Sequence, residues 1–141
     1  MTSVKPRDPH VLVLFGRVFG QVRDTFADEE WNGLRQSHLR LIDLVLDEGT
    51  SVTDLARRVG MSKQACGQFV THLVEQGLLR VEPDPDDRRV RRVHRTPLGE
   101  RTLAAANERI GRIEAGWADQ VGPDRYRTFR AVLEELALGA R

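Results

Sequence analysis

Residues 51–96 contain two short helical patterns followed by two strand-like runs, and this order limits the folds open to the chain. The first helical pattern follows Ser51 and Thr53, which offer N-cap oxygens. It has Leu55 on its apolar side and ends at Gly60. The second begins after Ser62, a strong helix N-cap, and ends at Gly77. A short helix, a tight turn, a second helix and a hairpin predict a helix-turn-helix with a β-hairpin wing.

The second of these helices has two faces of different character. Its apolar positions recur at the i, i+3, i+4, i+7 spacing of a buried face, namely Cys66, Phe69, Val70 and Leu73. The opposite face has no acidic residue from 62 to 71. Glutamine can pair with adenine there, and lysine can donate to guanine. We therefore predict major-groove contacts to DNA from Ser62, Lys63, Gln64, Gly67, Gln68 and Thr71, with the glycine allowing close approach.

The two strand-like runs, 78–82 and 90–95, flank a short acidic and arginine-rich tip. Pro83 and Pro85 are expected to keep this tip out of regular pairing. Arginines on a loop beside a major-groove helix can enter the neighbouring minor groove. The tip therefore predicts DNA contacts from Arg88, Arg89 and Arg91, with Asp86 or Asp87 holding one of the projecting arginines. The alternative is a solvated, charged hairpin.

Helices are predicted on both sides of this segment. An apolar stripe from Val11 to Phe26 predicts a first helix, which either packs on its own domain or also joins a dimer interface. A second helix is expected over 36–47, with Leu39, Leu41, Ile42, Val45 and Leu46 inward. A long helix from about Pro97 to Gly122 and a last, apolar helix follow. These outer helices predict a two-fold interface that would match palindromic DNA half-sites.

The composition supports a DNA-binding protein only through its distribution of charge. The net charge is +1, but residues 51–96 carry nine Lys or Arg against six Asp or Glu. Residues 1–50 carry six against eight, and residues 97–141 carry seven of each. The small basic surplus therefore falls where phosphates would be neutralised.

Other classes of protein find little support in the sequence. No apolar run approaches the roughly 18 residues of a membrane span, and a single cysteine, Cys66, excludes an internal disulfide. We therefore expect a cytoplasmic protein with no membrane partner. The four histidines lie in different elements, and no phosphate loop, Cys-x-x-Cys or HExxH pattern occurs, so no enzyme, cofactor or metal site is predicted. A winged helix used for protein contact is the remaining alternative.

The order of elements and the wing together resemble the MarR family of winged helix-turn-helix transcription regulators. The wing from Asp87 to Gly99 is similar to the family's D-x-R-x-x-x-V-x-L-T-x-x-G pattern. The resemblance makes Arg89 the minor-groove finger and Asp87 the carboxylate that orients its guanidinium. Residues 61–64 are similar to the start of the family's recognition helix.

Two positions depart from the family pattern. Arg95 stands where the family has leucine, and it is expected either to loosen the base of the wing or to add a phosphate contact. Arg35 stands where the family often has threonine. Its presence removes a hydroxyl cap from the second helix, so Ser37 or water is expected to satisfy that helix end.

The resemblance implies a mainly α fold with a small β-hairpin, formed as a single MarR-type domain over residues 1–141. A winged helix-turn-helix lobe (34–96) would lie between dimerisation helices at 10–30 and 97–141. It also implies a homodimer, most simply a repressor, that binds a palindromic operator in double-stranded DNA and is released by a small aromatic effector. The candidate residues for the effector cleft are Phe15, Phe19, Trp31 and His38.

Some members of the family sense peroxide with a cysteine near the start of the first helix, and this chain has none there. Cys66 lies on the predicted inward face, which favours a small buried apolar side chain. A redox-responsive regulator acting through Cys66 is kept as an alternative, because oxidation at that position would disturb the recognition helix.

Overall fold

The computed structural model describes residues 8–26 and 34–139, and the chain divides after Gly99 into two compact units. The first unit holds α1 (Val11–Thr25), α2 (Gln36–Leu44), β1 (Thr50–Ser51), α3 (Val52–Val59), α4 (Lys63–Glu75), β2 (Leu79–Pro83) and β3 (Arg91–Arg95). Helix α5 (Pro97–Val121) begins at its end, and α6 (Pro123–Leu138) completes the second unit. This mainly helical fold with a small sheet confirms the predicted fold class.

The helix-turn-helix begins and ends its helices where the sequence predicts. Ser51 Oγ accepts the Asp54 N–H at 3.2 Å to cap α3, and Ser62 Oγ accepts the Ala65 N–H at 3.1 Å to cap α4. Between them Gly60 adopts a left-handed conformation, with φ of 78°. Such a residue ends a helix at little cost when it has no Cβ. Local sequence signals therefore suffice to place α3 and α4.

The core of the first unit lies between α2, α3, α4 and the sheet. The side chains with the least exposure come from all four, namely Leu41, Ile42, Val45, Leu55, Cys66, Leu73, Leu79 and Val93. Burying each large aliphatic side chain contributes about 1.5–3 kcal/mol. Cys66, Val70 and Leu73 of α4 are buried as predicted, and Phe69 is half-buried. The inward face of α4 thus fixes which face the helix leaves outside.

Helix α2 ends earlier than predicted, at Leu44 rather than Asp47. Val45 is already extended, with φ −71° and ψ 122°, and Thr50 Oγ1 accepts the Leu46 N–H at 2.9 Å. Leu46, predicted to face inward, is exposed. The hydroxyl of Thr50 thus satisfies a backbone donor just beyond the end of the helix.

The carbonyls at the end of α2 are taken by Arg95, one of the two residues that depart from the family pattern. Its side chain is only 11% exposed, and Nη1 donates to the carbonyls of Val45 at 2.6 Å and Ile42 at 3.4 Å. The guanidinium also pairs with Asp47. A cation is favourable at the C-terminal end of a helix, where unpaired carbonyls gather. The expectation of a loosened wing or a phosphate contact is therefore wrong, since Arg95 ties the base of the wing to α2.

His38 takes part in capping the start of α2. Arg35 occupies the N-cap position, and His38 Nδ1 accepts its backbone N–H at 2.9 Å. The His38 ring also lies against Phe69 and His72 of α4, with ring centroids 5.0 and 5.4 Å apart. His38 therefore satisfies an orphan donor of α2 while it contacts α4.

The sheet has three antiparallel strands in the order β1-β3-β2. Strand β1 was not predicted, because two residues carry no alternation that a sequence pattern can show. In the hairpin Val81 pairs with Val93, and Pro83 pairs with Arg91. The prediction that Pro83 stays out of regular pairing is wrong: it is the last residue of β2, an edge strand, where its missing N–H is tolerated.

The end of the wing is held to the turn after α4. The Thr96 hydroxyl donates to the Gly77 carbonyl at 2.5 Å and accepts the Gly99 N–H at 3.0 Å, while the Thr96 N–H donates to the Leu78 carbonyl at 3.2 Å. A Cβ on Gly99 would collide with that same Leu78 carbonyl. The glycine that closes the wing pattern is therefore required by close backbone approach.

The second unit contains a polar cluster between its two helices. The Tyr126 hydroxyl and the Arg130 guanidinium both donate to Glu114 Oε1, each at 2.6 Å. Burial, followed by the bond to Glu114, raises the pKa of Tyr126 above its ordinary value. The apolar residues of α6 are exposed, namely Phe129, Val132, Leu133, Leu136 and Leu138. Within the described ranges, no helix is both long and apolar enough to cross a membrane.

The capping role of His38 predicts a loss of stability in acid. Burial, then His72 and Arg35, lower the pKa of His38 below 6.5. As the pH falls, His38 is protonated near pH 6.5 in the unfolded chain but only at lower pH in the folded chain. The contribution of His38 to the free energy of unfolding is therefore fully present above pH 6.5. It decreases as the pH falls from 6.5 through the lowered pKa.

The variant His38→Gln should show a shallower acid loss in urea unfolding, because glutamine at the third helical position still accepts the N-cap N–H but does not titrate. A residual slope is expected from His94, whose pKa is also lowered, chiefly by burial and then by Arg80 and Arg92. The variant His38→Ala should lose about 0.5–2 kcal/mol above pH 6.5, the usual cost of a lost cap, and this difference should narrow in acid as His38 of the parent is protonated. Equal pH slopes in the parent and His38→Gln would contradict this assignment.

Candidate nucleic-acid interface

The outward face of α4 is polar and accessible along its first half. Lys63, Gln64 and Gln68 are exposed, and Gly67 is half-buried between them. The Thr71 hydroxyl donates back to the Gly67 carbonyl at 2.9 Å, so it offers its oxygen rather than its proton to a partner. Ser62 uses its oxygen as the N-cap acceptor and retains its hydroxyl proton for donation. This face therefore presents donors and acceptors of several geometries within one stretch of helix.

The α4 face and the wing line a common open groove. It is lined by Ser51, Val52, Thr53, Lys63, Gln64, Gly67, Gln68, Val70, Thr71, His72, Val74, Glu75, Val81, Arg89, Val90 and Arg91. The structure thus brings together seven of the predicted DNA contacts, while Ser62 and Arg88 are not among the lining residues. Ser51 and Thr53 are additional polar residues that the sequence reasoning treated only as helix caps.

The charge of this groove is mainly positive. Lys63, Arg89 and Arg91 contribute cations, and Glu75 is the one acid among the residues that line the groove. Glu75 is the last residue of α4, whereas Lys63 is the first. The N-terminal half of the helix is therefore the part of the groove best suited to a polyanion, where the helix dipole also favours negative charge.

The wing tip is organised around Asp84, which the sequence reasoning missed. Asp84 is only 7% exposed. Its Oδ1 accepts the backbone N–H groups of Asp86 at 2.8 Å and Asp87 at 3.3 Å, and its Oδ2 accepts from Arg92 at 2.9 Å. The N–H of Asp86, followed by the Arg92 guanidinium, keeps the pKa of Asp84 below its ordinary value. The one available signal was the Asp-Pro-Asp run, which is typical of a turn closed by the first aspartate.

Asp87 supports the tip in a different way from the one expected. Its Oδ1 accepts the backbone N–H of Arg89 at 3.1 Å, and its carbonyl accepts the N–H of Val90 at 2.9 Å. The predicted contact was to the guanidinium of Arg89. Asp87 therefore shapes the backbone of the tip, and Arg89 lines the groove.

The candidates for an effector cleft are not assembled into one site by the described contacts. Phe15 and Phe19 are exposed side chains of α1, 39% and 59% accessible. The recorded contacts of His38 are with Arg35, Phe69 and His72. Trp31 lies outside the described residues.

The described residues offer little for a redox site or a metal site. The Cys66 side chain is fully buried and burial raises the pKa of its thiol, which disfavours the reactive thiolate. No group of three or more His, Cys, Asp or Glu side chains within residues 8–26 and 34–139 is arranged to hold a metal ion. The groove is therefore the site on which the polar and charged side chains of the first unit converge.

Comparison with known proteins identifies a family with a similar sequence and fold. The sequence profile of the MarR family matches residues 32–90. The HTH-type transcriptional regulator PetP of Rhodobacter capsulatus is 32% identical over 105 residues, covering 72% of this chain and 61% of PetP. The crystal structure of MarR superposes with a TM-score of 0.80 at 22% identity, covering 96% of this chain and 93% of MarR.

A second solved structure is the MepR–DNA complex of S. aureus. It superposes with a TM-score of 0.76 at 13% identity, and the match covers 92% of this chain and 98% of MepR. Members of the family are transcriptional regulators rather than enzymes, in agreement with the prediction. Over residues 32–90 the chain thus matches the sequence profile of the MarR family of transcriptional regulators, and its winged-helix fold is that of the solved MarR structure.

Proposed function

We propose that this protein is a homodimeric repressor of a palindromic operator, with α4 in the major groove and the wing in the flanking minor groove. The observation that carries the proposal is the groove shared by α4 and the wing, because its two walls can contact one duplex at the same time. Cations on both walls provide the phosphate attraction that dominates the affinity of such complexes. The MepR–DNA complex supports DNA as the partner of this fold.

The base-reading groups are assigned to the first half of α4. The amides of Gln64 and Gln68 suit adenine, and the ammonium of Lys63 suits guanine. Ser62 and Thr71 offer hydroxyls at the two ends of this stretch. These residues would give sequence preference, whereas Arg88, Arg89 and Arg91 would contact the minor groove and backbone from the wing.

Gly67 supports close approach of α4 to DNA. A Cβ placed there would meet no atom of the protein within 4 Å, so packing does not require a glycine. Glycine inside a helix costs about 0.5–1 kcal/mol relative to alanine. A helical glycine without a packing reason, on the polar face of the groove, fits a surface that must come close to a partner.

Exposed apolar faces outside the groove support the homodimer. Helix α1 has no buried residue, and Val11, Leu12 and Phe19 are among its most exposed apolar side chains. On α6, Leu136 and Leu138 are 71% and 86% exposed. Apolar surface of this extent normally marks a protein interface. A two-fold dimer would place two copies of α4 on successive turns of one DNA face.

Repression is the simplest result of such a dimer, because a protein bound across a promoter excludes polymerase. A small aromatic effector that releases the operator belongs to the same proposal, with Phe15, Phe19, Trp31 and His38 as candidate contacts. Cytoplasmic localisation follows from the proposed partner, which is operator DNA. A redox role for Cys66 finds less support, because the thiol is buried.

Substitutions in the groove should separate base reading from phosphate and minor-groove binding. With operator DNA selected from a random pool, Gln64→Ala should change the preferred sequence, since each good amide–adenine pair contributes about 1–3 kcal/mol of discrimination. Arg89→Ala should weaken binding to all sequences more evenly. It should also lower the slope of log affinity against log salt concentration by about 1, the share of one phosphate contact.

The control for lost charge is Arg127→Ala, which removes an exposed cation from α6 and should leave affinity close to that of the parent. Equal operator affinity of Arg89→Ala and the parent at moderate salt would rule out the wing assignment. Affinity independent of salt would instead favour a winged helix used for protein contact.

The Gly67→Ala variant should be more stable and yet bind DNA less well. Alanine is expected to add about 0.5–1 kcal/mol to the free energy of unfolding, while its methyl group keeps α4 away from the base edges. Gly111→Ala on α5 also has open space around it and should stabilise without affecting affinity. Urea unfolding and operator titration measure the two quantities, and tighter or unchanged DNA binding by Gly67→Ala would refute the close approach.

Sedimentation should find a dimer at micromolar concentration. Leu136→Glu places a charge on the exposed apolar face of α6 and should raise the dimer dissociation constant on the order of a hundredfold. Ala131→Glu adds the same charge to α6 about 140° around the helix axis from Leu136 and should leave the dimer intact. A monomeric parent would exclude the homodimer.

A further inference from the structure

The tip of the wing lacks an apolar anchor. Residues 85–90 are all exposed, so hydrophobic packing does not fix where Arg88 and Arg89 stand. Arginine side chains and a short polar turn have many conformations of similar energy in water. An arginine that enters a minor groove must therefore be placed by polar contacts within the turn or by the DNA itself.

Asp84 supplies these contacts inside the turn. Its Oδ1 holds the N–H groups of Asp86 and Asp87, and its own N–H donates to the carbonyl of Val90 at 2.8 Å. Asp84 thus closes the turn from both sides, with its carboxylate on one and its backbone N–H on the other. Asp84 is nearly fully buried, so its charge requires a partner that is also held in place.

Arg92 is that partner, and it connects the turn to a separate part of the lobe. Its Nε and Nη2 both lie 2.9 Å from Asp84 Oδ2, and its Nη1 donates to the Gly49 carbonyl at 3.3 Å. Gly49 lies between α2 and β1, with φ of 90°, and a Cβ there would collide with the side chains of Arg92 and His94. The tip is therefore tied through one guanidinium to the backbone just before the helix-turn-helix.

The same point in the backbone leads directly into α3. Ser51 pairs with Arg92 in the sheet and caps α3 through the N–H of Asp54. The chain of contacts thus runs from the wing tip to Asp84, then to Arg92, and from there to the connection that starts the helix-turn-helix. Because α3 and α4 share the core of the lobe, this series of contacts fixes the position of the wing tip relative to α4.

We propose that Asp84 and Arg92 are positioning residues for DNA binding, which hold the arginines of the wing tip at the distance from α4 that one duplex requires. This inference rests on the proposed function of the groove. It assigns part of the operator affinity to two residues that need not touch DNA. Their effect comes from reducing the conformational freedom that the tip would otherwise lose on binding.

Asp84→Asn tests the inference because positioning and charge alone predict opposite changes in DNA affinity. The substitution keeps an oxygen for the N–H groups of Asp86 and Asp87 but removes a negative charge from the wing. If only the attraction to phosphates mattered, DNA would bind more tightly. Positioning predicts the opposite, a loss of affinity of about five- to tenfold, as expected when a charge-assisted bond is removed.

Arg92→Lys provides a second, charge-neutral test. Lysine keeps the positive charge but lacks the planar fork that contacts Asp84 and Gly49 together. A similar loss of affinity is expected. The matched control is Arg80→Lys, which alters an exposed arginine paired with Glu82 on the neighbouring strand and should bind as the parent does.

Two measurements distinguish positioning from a general loss of stability. Hydrogen exchange of the Asp86 and Asp87 amides in the free protein should accelerate in both variants, while the amides of α4 keep their parental rates. In operator titrations the parent should lose affinity when A·T pairs in the flanking minor groove are replaced by G·C, and the variants should lose less. A variant that is merely less folded would lose protection in α4 as well.

The outcomes separate this inference from the proposed function. A parent that binds no DNA sinks the proposed function and the positioning role with it, even where exchange shows that the pair orders the turn. Parental exchange rates at Asp86 and Asp87 in both variants overturn the inference while the proposed function stands. Faster exchange together with unchanged or tighter DNA binding by Asp84→Asn also overturns it.

Discussion

The attachment of β3 to the end of α2 is the interaction on which the arrangement of the lobe depends. Two arginines of this strand reach the same short connection, Arg95 to the last carbonyls of α2 and Arg92 to the Gly49 carbonyl. Both also pair with a carboxylate, Asp47 and Asp84 respectively. Because one strand makes both contacts, the base and the tip of the wing are fixed relative to the same segment after α2. A wing held only by its hairpin turn would not be fixed relative to the helical core.

The helical core supplies the other requirement, a rigid α4 with a free face. Its inward side chains Cys66, Val70 and Leu73 are buried, and most of the outward residues are exposed. Binding groups on a helix held by its core keep their geometry better than groups on a loop. The wing tip has no such core, which explains why it depends on ionic and backbone hydrogen bonds instead. The two walls of the groove are thus stabilised by different kinds of interaction.

The sequence and the structure agree best where the determining signals are local. The caps Ser51 and Ser62 and the apolar spacing of α4 act within one or two helical turns, so α3, α4 and their polar face could be predicted. The family pattern likewise placed Asp87 and Arg89 in the wing. Agreement ends at contacts between residues far apart in the chain, such as Arg95 with Val45, which lie 50 positions apart. No periodicity records a bond of that kind.

The sequence by itself determined the order of elements, the buried and exposed faces of α4, and the basic character of residues 51–96. Only the tertiary structure decided that Arg95 caps the end of α2 and that β1 exists as a third strand. It also decided that Asp84, not Asp87, bears the buried charge of the wing. The physical reason is that capping and amphipathic periodicity depend on neighbours along the chain. The partner of a buried charge depends on which segments the core brings together.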